Sequence, residues 1–160
     1  MFSGCIYLTA APAELPALTV KAQAYSTMFD GCTSLTSAPV IKATSINQYS
    51  FRNMFRGCTA LTQVSDLQVV EMTGSGCCHQ MFYGCTSLTT APALPSTTVT
   101  PSCYRGMFYG CTSLTVAPVL PATTLAPTCY SQMFYGCSVL TTAPALPATT
   151  VAGNCYYQMF

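Results

Sequence analysis

Apolar and polar positions recur along this chain with a long period. The dipeptide Met-Phe begins at Met1, Met28, Met54, Met81, Met107, Met133 and Met159, at spacings of 26 or 27 residues. The first six are followed by Gly and then Cys, at Cys5, Cys32, Cys58, Cys85, Cys111 and Cys137. Three residues on comes Leu8, Leu35, Leu61, Leu88, Leu114 or Leu140, each followed by Thr. Units four, five and six then read Ala-Pro-x-Leu-Pro, and units one and two keep its Ala-Pro. Self-similarity at a fixed period is the mark of a repeat architecture. The units run 1–27, 28–53, 54–80, 81–106, 107–132 and 133–158, and residues 159–160 start a further one.

One unit can be read for its elements. Cys103, Tyr104, Met107, Phe108 and Cys111 fall at i, i+1, i+4, i+5 and i+8, which predicts one face of about two helical turns. Ser113-Leu114-Thr115 alternates polar, apolar, polar and predicts a short strand. Pro118 and Pro121 should end it, because proline cannot donate to a ladder. The Pro-x-Leu-Pro piece should be extended. Ala122-Thr123-Thr124 should turn back, with Leu125 as a buried anchor.

No unit can bury its Phe, Cys and Leu alone, whereas stacked units can. The expected fold is a repeat solenoid, a right-handed coil. Each 26–27-residue turn would give one short parallel β-strand and one short helical segment. Strands would lie about 4.8 Å apart, so six turns make a rod on the order of 30 Å long. The Phe, Cys and Leu positions would become continuous columns. Neither end shows the polar cap of a terminal repeat. The chain therefore reads as an excerpt of a longer array, or as a subunit whose ends neighbours cover.

The frame Met-Phe-x-Gly-Cys-x-x-Leu-Thr-x-Ala-Pro-x-Leu-Pro resembles the leucine-rich repeats of the BspA type. Those units pair an Ala-Phe-x-x-Cys-x-x-Leu stretch with an Ile-Pro strand end. The likeness spans essentially the whole chain, although these units are longer than the common family repeat. It is weakest in the third unit, where Ser65-Asp66-Leu67-Gln68 replaces the Ala-Pro frame and Cys77-Cys78-His79 replaces Cys-Tyr-x. The resemblance implies an adhesion or recognition module at a bacterial cell surface, or on a phage. Met1-Phe2-Ser3-Gly4-Cys5 lacks the basic and apolar regions of a secretory signal.

Composition narrows the chemistry. Charged residues are only 6% and the net charge is +1, which argues against a nucleic-acid binder needing a basic stripe. No apolar run approaches the roughly 18 residues of a membrane span. The acids Glu14, Asp30, Asp66 and Glu71 suggest no shared site, and no Gly-rich phosphate loop occurs. No Cys-x-x-Cys pair suggests zinc. Ten of the eleven Cys lie in two repeat columns and read as buried apolar thiols. Cys77-Cys78-His79 reads as a degenerate copy of one column rather than a nucleophile or metal site. No catalytic residue, metal or cofactor is expected.

Recognition surfaces remain. Positions that vary while their neighbours repeat should face solvent. Tyr83, Tyr109 and Tyr135 would form one exposed ladder, with Arg105 and Tyr157 in the adjoining column, and tyrosine suits protein or glycan contacts. Thr89, Thr115 and Thr141 would form a second, polar ladder that either stabilises the sheet or binds a repetitive ligand. Units four to six carry only Arg105 as a charge, so that half should associate more readily. The expected function is non-enzymatic binding of protein or glycan. The alternative is a structural subunit of a filament or virion, built by end-on or lateral self-association.

Overall fold

The computed structural model describes residues 1–160. It contains no helix and five two-residue strands. These are β1 (Glu14–Leu15), β2 (Thr19–Val20), β3 (Val40–Ile41), β4 (Ser45–Ile46) and β5 (Glu71–Met72). All pair in parallel: β1 with β3, and β2 with β4 and then β5. Partners lie one repeat apart, as in Ser45 opposite Glu71. Single bridges continue the pattern at Ser37–Gln63, Thr90–Val116 and Thr124–Thr150.

The predicted helical segment is absent. In its place runs a ribbon of turns. Cys103, Arg105, Met107, Tyr109 and Cys111 donate their N–H groups three residues back, to Thr100, Ser102, Tyr104, Gly106 and Phe108. The intervening amides of Ser102, Tyr104, Gly106, Phe108 and Gly110 reach the next unit, at Pro127, Cys129, Ser131, Met133 and Tyr135. A helix would bond every amide within its own segment. Here alternate amides are committed to the neighbouring unit.

This path requires a left-handed residue at every fourth position. Ser102, Gly106 and Gly110 have φ of 56°, 57° and 67°. They sit third in every other turn, where a type II turn needs positive φ. Glycine occupies the last of these in every unit from Gly4 to Gly136. The others fall largely to Gln, Asn, Ser and Thr, as at Gln80, Asn53 and Thr128.

The predicted Ser113-Leu114-Thr115 strand is also displaced. Leu114 donates to the Cys111 carbonyl at 3.1 Å, which makes a turn there. Pairing begins one or more residues later, at the Thr90–Val116 bridge. In the first two units it occupies the piece that follows Pro12 and Pro39, as β1 and β3. There Val40 donates to Ala13 and Lys42 to Leu15. Units four, five and six have Pro95, Pro121 and Pro147 where unit two has Lys42, so the second of these bonds is lost.

Packing follows the repeat. Phe2, Phe29, Phe55, Phe82, Phe108, Phe134 and Phe160 stack in one file, with centroids 5.3 to 5.8 Å apart. A second file holds Tyr104, Tyr130 and Tyr156, with Tyr25 and Phe51 at its other end. Cys78 fills the intervening slot and is fully buried. These residues belong to one continuous core with Leu35, Leu61, Leu88 and Leu114.

The cysteines act within this core. All eleven are free thiols. Cys58, Cys85 and Cys137 donate to the carbonyls of Phe29, Phe55 and Phe108, each at 3.1 Å. Burial pushes the Cys58 thiol up to about 12 and Cys137 to about 11. At neutral pH they stay protonated and serve as hydrogen-bond donors, which slows their reaction as thiolates.

Two outcomes check this account. Phe82→Ala should cost about 3–5 kcal/mol through the cavity it opens, read as a lowered urea midpoint. A thiol reagent at pH 8 should modify exposed Cys5 first and half-buried Cys137 next, the remainder waiting on unfolding. Labelling of Cys58 as fast as Cys5 would contradict the burial described.

Candidate functional site

The threonine ladder stitches neighbouring units. The Thr36 hydroxyl donates to the Thr9 carbonyl and Thr62 to that of Thr36, at 3.4 and 3.3 Å. Thr115 donates to the Thr89 carbonyl at 3.2 Å. The step between Thr62 and Thr89 is missing: neither the amide nor the hydroxyl of Thr89 donates to a protein acceptor. At this step Val64-Ser65-Asp66 stands where other units have Ala-Pro-x, although the same bond is also missing between Thr115 and Thr141, where that frame is intact.

A surface hollow of about 430 Å³ lies at the interruption. Its polar lining is Ser37, Thr62, Gln63, Ser65, Thr89 and Thr90, with only Ala38 and Val64 apolar. The Ser37–Gln63 bridge fixes its floor, with Ala38 donating to the Gln63 carbonyl at 3.2 Å. Hydroxyl and amide groups both donate and accept, so the hollow offers neutral hydrogen bonding from three successive units.

Of the residues singled out from sequence, only Thr89 lines this hollow. Thr115 sits one unit further along the same ladder. Thr141 is exposed and forms no such bond to Thr115. The tyrosines lie on the turn ribbon. Tyr83, Tyr109 and Tyr135 stack at 4.6 and 5.0 Å, so both faces of Tyr109 and one face of each neighbour are covered; Tyr83 and Tyr109 are half-buried and Tyr135 is exposed. Tyr157 is exposed and its carbonyl accepts from Gln132. Ser37, Thr62, Gln63, Ser65 and Thr90 were not anticipated. Their signal was the failure of the Ala-Pro frame in unit three.

The ribbon also carries the three arginines. Arg56 lies over the Tyr83 ring at 5.8 Å and Arg52 over Tyr49 at 5.4 Å, both within cation–π range. His79 sits between Arg52 and Arg105 in sequence column. Burial pushes its imidazole down to about 4, and Arg105 and Arg52 add to the effect. No group of three or more His, Cys, Asp or Glu side chains is placed to share a metal ion. No helix is long and apolar enough to cross a membrane.

Comparison with protein-family models, with curated proteins and with solved structures finds no match for the chain.

The His79 environment gives a signed expectation. The folded chain binds a proton here less readily than the unfolded chain, whose imidazole titrates near 6.5. This contribution to stability is complete above pH 6.5 and is lost progressively as pH falls toward 4. Urea midpoints should therefore drop between pH 7 and 5, and His79→Gln should flatten that decline. An equal decline in the variant would assign it to other groups.

Proposed function

We propose that the chain is a leucine-rich-repeat-like solenoid, a right-handed coil of 26–27-residue turns. In this reading it serves as a non-enzymatic recognition or adhesion module for glycan or protein. The BspA-type frame of its units supports display at a bacterial surface or on a phage. The observation that carries the binding role is the hydroxyl-lined hollow at Thr62, Gln63 and Thr89, where the ladder leaves hydrogen-bonding groups uncommitted. A neutral, polyhydroxylated sugar matches that lining better than an apolar or strongly charged ligand. Repetition of weak polar sites on one rigid body, or of copies on one surface, raises avidity.

A structural role is the second reading, favoured by the direction of the ribbon hydrogen bonds. Each unit donates amides to the following unit and offers carbonyls to the preceding one. Copies stacked head to tail would continue that pattern, a heterologous contact that builds filaments.

A glycan array probed with the chain should show binding to neutral glycans. The Gln63→Ala, Thr89→Val double substitution, which removes groups that make no side-chain hydrogen bond within the chain, should weaken it at least tenfold with the urea midpoint little changed. Binding indifferent to that pair would remove the recognition site, and concentration-dependent rods in electron micrographs without glycan binding would favour the structural role.

A further inference from the structure

A seam between units four and five stands open where the equivalent seam between units one and two is closed. In the closed seam, Val40 donates to Ala13 at 3.0 Å and Lys42 to Leu15 at 3.1 Å. The Lys42 ammonium also meets the Glu14 carboxylate at 3.9 Å. Unit five has Val119 and Pro121 at the positions of Val40 and Lys42. Pro121 has no N–H to give. The Val119 amide and the carbonyls of Pro92 and Leu94 have no protein partner.

A groove of about 480 Å³ occupies this seam. Its walls are Ala93, Leu94 and Pro95 on one side, and Pro118, Val119 and Pro121 on the other. Val119 is 77% exposed. Asp66 is the only charged residue lining it. One Asp66 carboxylate oxygen accepts the Ala93 amide at 2.8 Å. The carboxylate has no cationic partner, since the one ion pair of the protein is Lys42–Glu14.

We propose that this groove between units four and five binds an extended, apolar peptide segment bearing a Lys or Arg that pairs with Asp66. The two walls supply both an amide donor and carbonyl acceptors, which a peptide in strand conformation satisfies from its own backbone. Proline-rich segments match less well, because they lack the N–H that the Pro92 and Leu94 carbonyls call for. The Ala, Leu, Val and Pro walls select apolar side chains. Asp66 selects a cation by charge complementarity. Pro92 to Pro95 spans about 10 Å at strand rise, enough to engage about four peptide residues. The surface is separate from the hydroxyl-lined hollow, and the inference holds whether or not that hollow takes a sugar.

The test uses a displayed library of random nine-residue peptides selected on the full chain. Recovered peptides should be apolar with an enriched Lys or Arg, and their binding should protect the Val119 amide from hydrogen exchange. Asp66→Asn, which keeps an acceptor for the Ala93 amide, should weaken them about fivefold, as loss of a partly exposed ion pair does. The pair Ala93→Glu and Pro121→Lys transplants the Glu14–Lys42 closure and should abolish binding. Gln63→Ala should leave peptide binding unchanged while testing the glycan site separately. Failure to recover peptides would overturn the proposal. So would recovery of peptides without a basic residue, an exchange rate at Val119 unaffected by peptide, or binding indifferent to Asp66→Asn.

Discussion

The structure depends on how the turn ribbon divides its peptide hydrogen bonds. Buried amides and carbonyls must be paired. Within a single 26-residue unit the ribbon satisfies only every second amide, through bonds three residues back. The others find acceptors only on the following unit. One unit is thus incomplete in its backbone as well as in its core. The phenylalanine file and the thiol donors act on the same requirement, since the Phe2, Phe29, Phe55, Phe82 and Phe108 carbonyls that close turns also accept a cysteine S–H from the next unit.

Variation between units then decides what the opposite face does. A residue able to donate, Lys42, closes one seam as a two-stranded ladder. Proline at Pro95, Pro121 and Pro147 keeps later seams from forming the same bond. In unit three, Ser65-Asp66 replaces Pro and its neighbour, and the threonine ladder skips a step. The hollow and the groove both lie against this unit, one polar and one apolar. The Asp66 carboxylate separates them chemically by capping the Ala93 amide. The hollow and the Asp66 carboxylate come from a departure from the repeat, whereas the groove walls are the regular Ala-Pro-x-Leu-Pro frame of units four and five.

Much of the packing was legible in the sequence. Identical Met-Phe pairs at a constant interval put Phe29, Phe55, Phe82 and Phe108 in one file once units lie in register. The ribbon was not legible, for a definite reason. A pair of alternating turns advances four residues, so Cys103, Met107 and Cys111 recur at the interval that marks a helical face. Distinguishing the two needed the sign of φ at Ser102 and Gly110, which side-chain spacing does not report. The strand was misplaced because Leu114 is buried by a turn as readily as by a strand. The candidate polar site was missed at Thr62 and Gln63 because sequence reading followed the conserved-looking columns of this chain, and the opening arises where a column fails. Thr89 was reached from its ladder, not from the hollow.

The two sides of units four to six are held together very unequally. Five ribbon amides tie unit four to unit five along one edge, while the proline-bearing segments opposite share none between Pro92 and Pro121. Such a stack resists bending in one plane and yields in the other, like leaves bound along a spine. Flexing about that spine changes the width of the proline seam and leaves the stacked phenylalanines almost undisturbed, so the gap can adjust to what enters it without loosening the core.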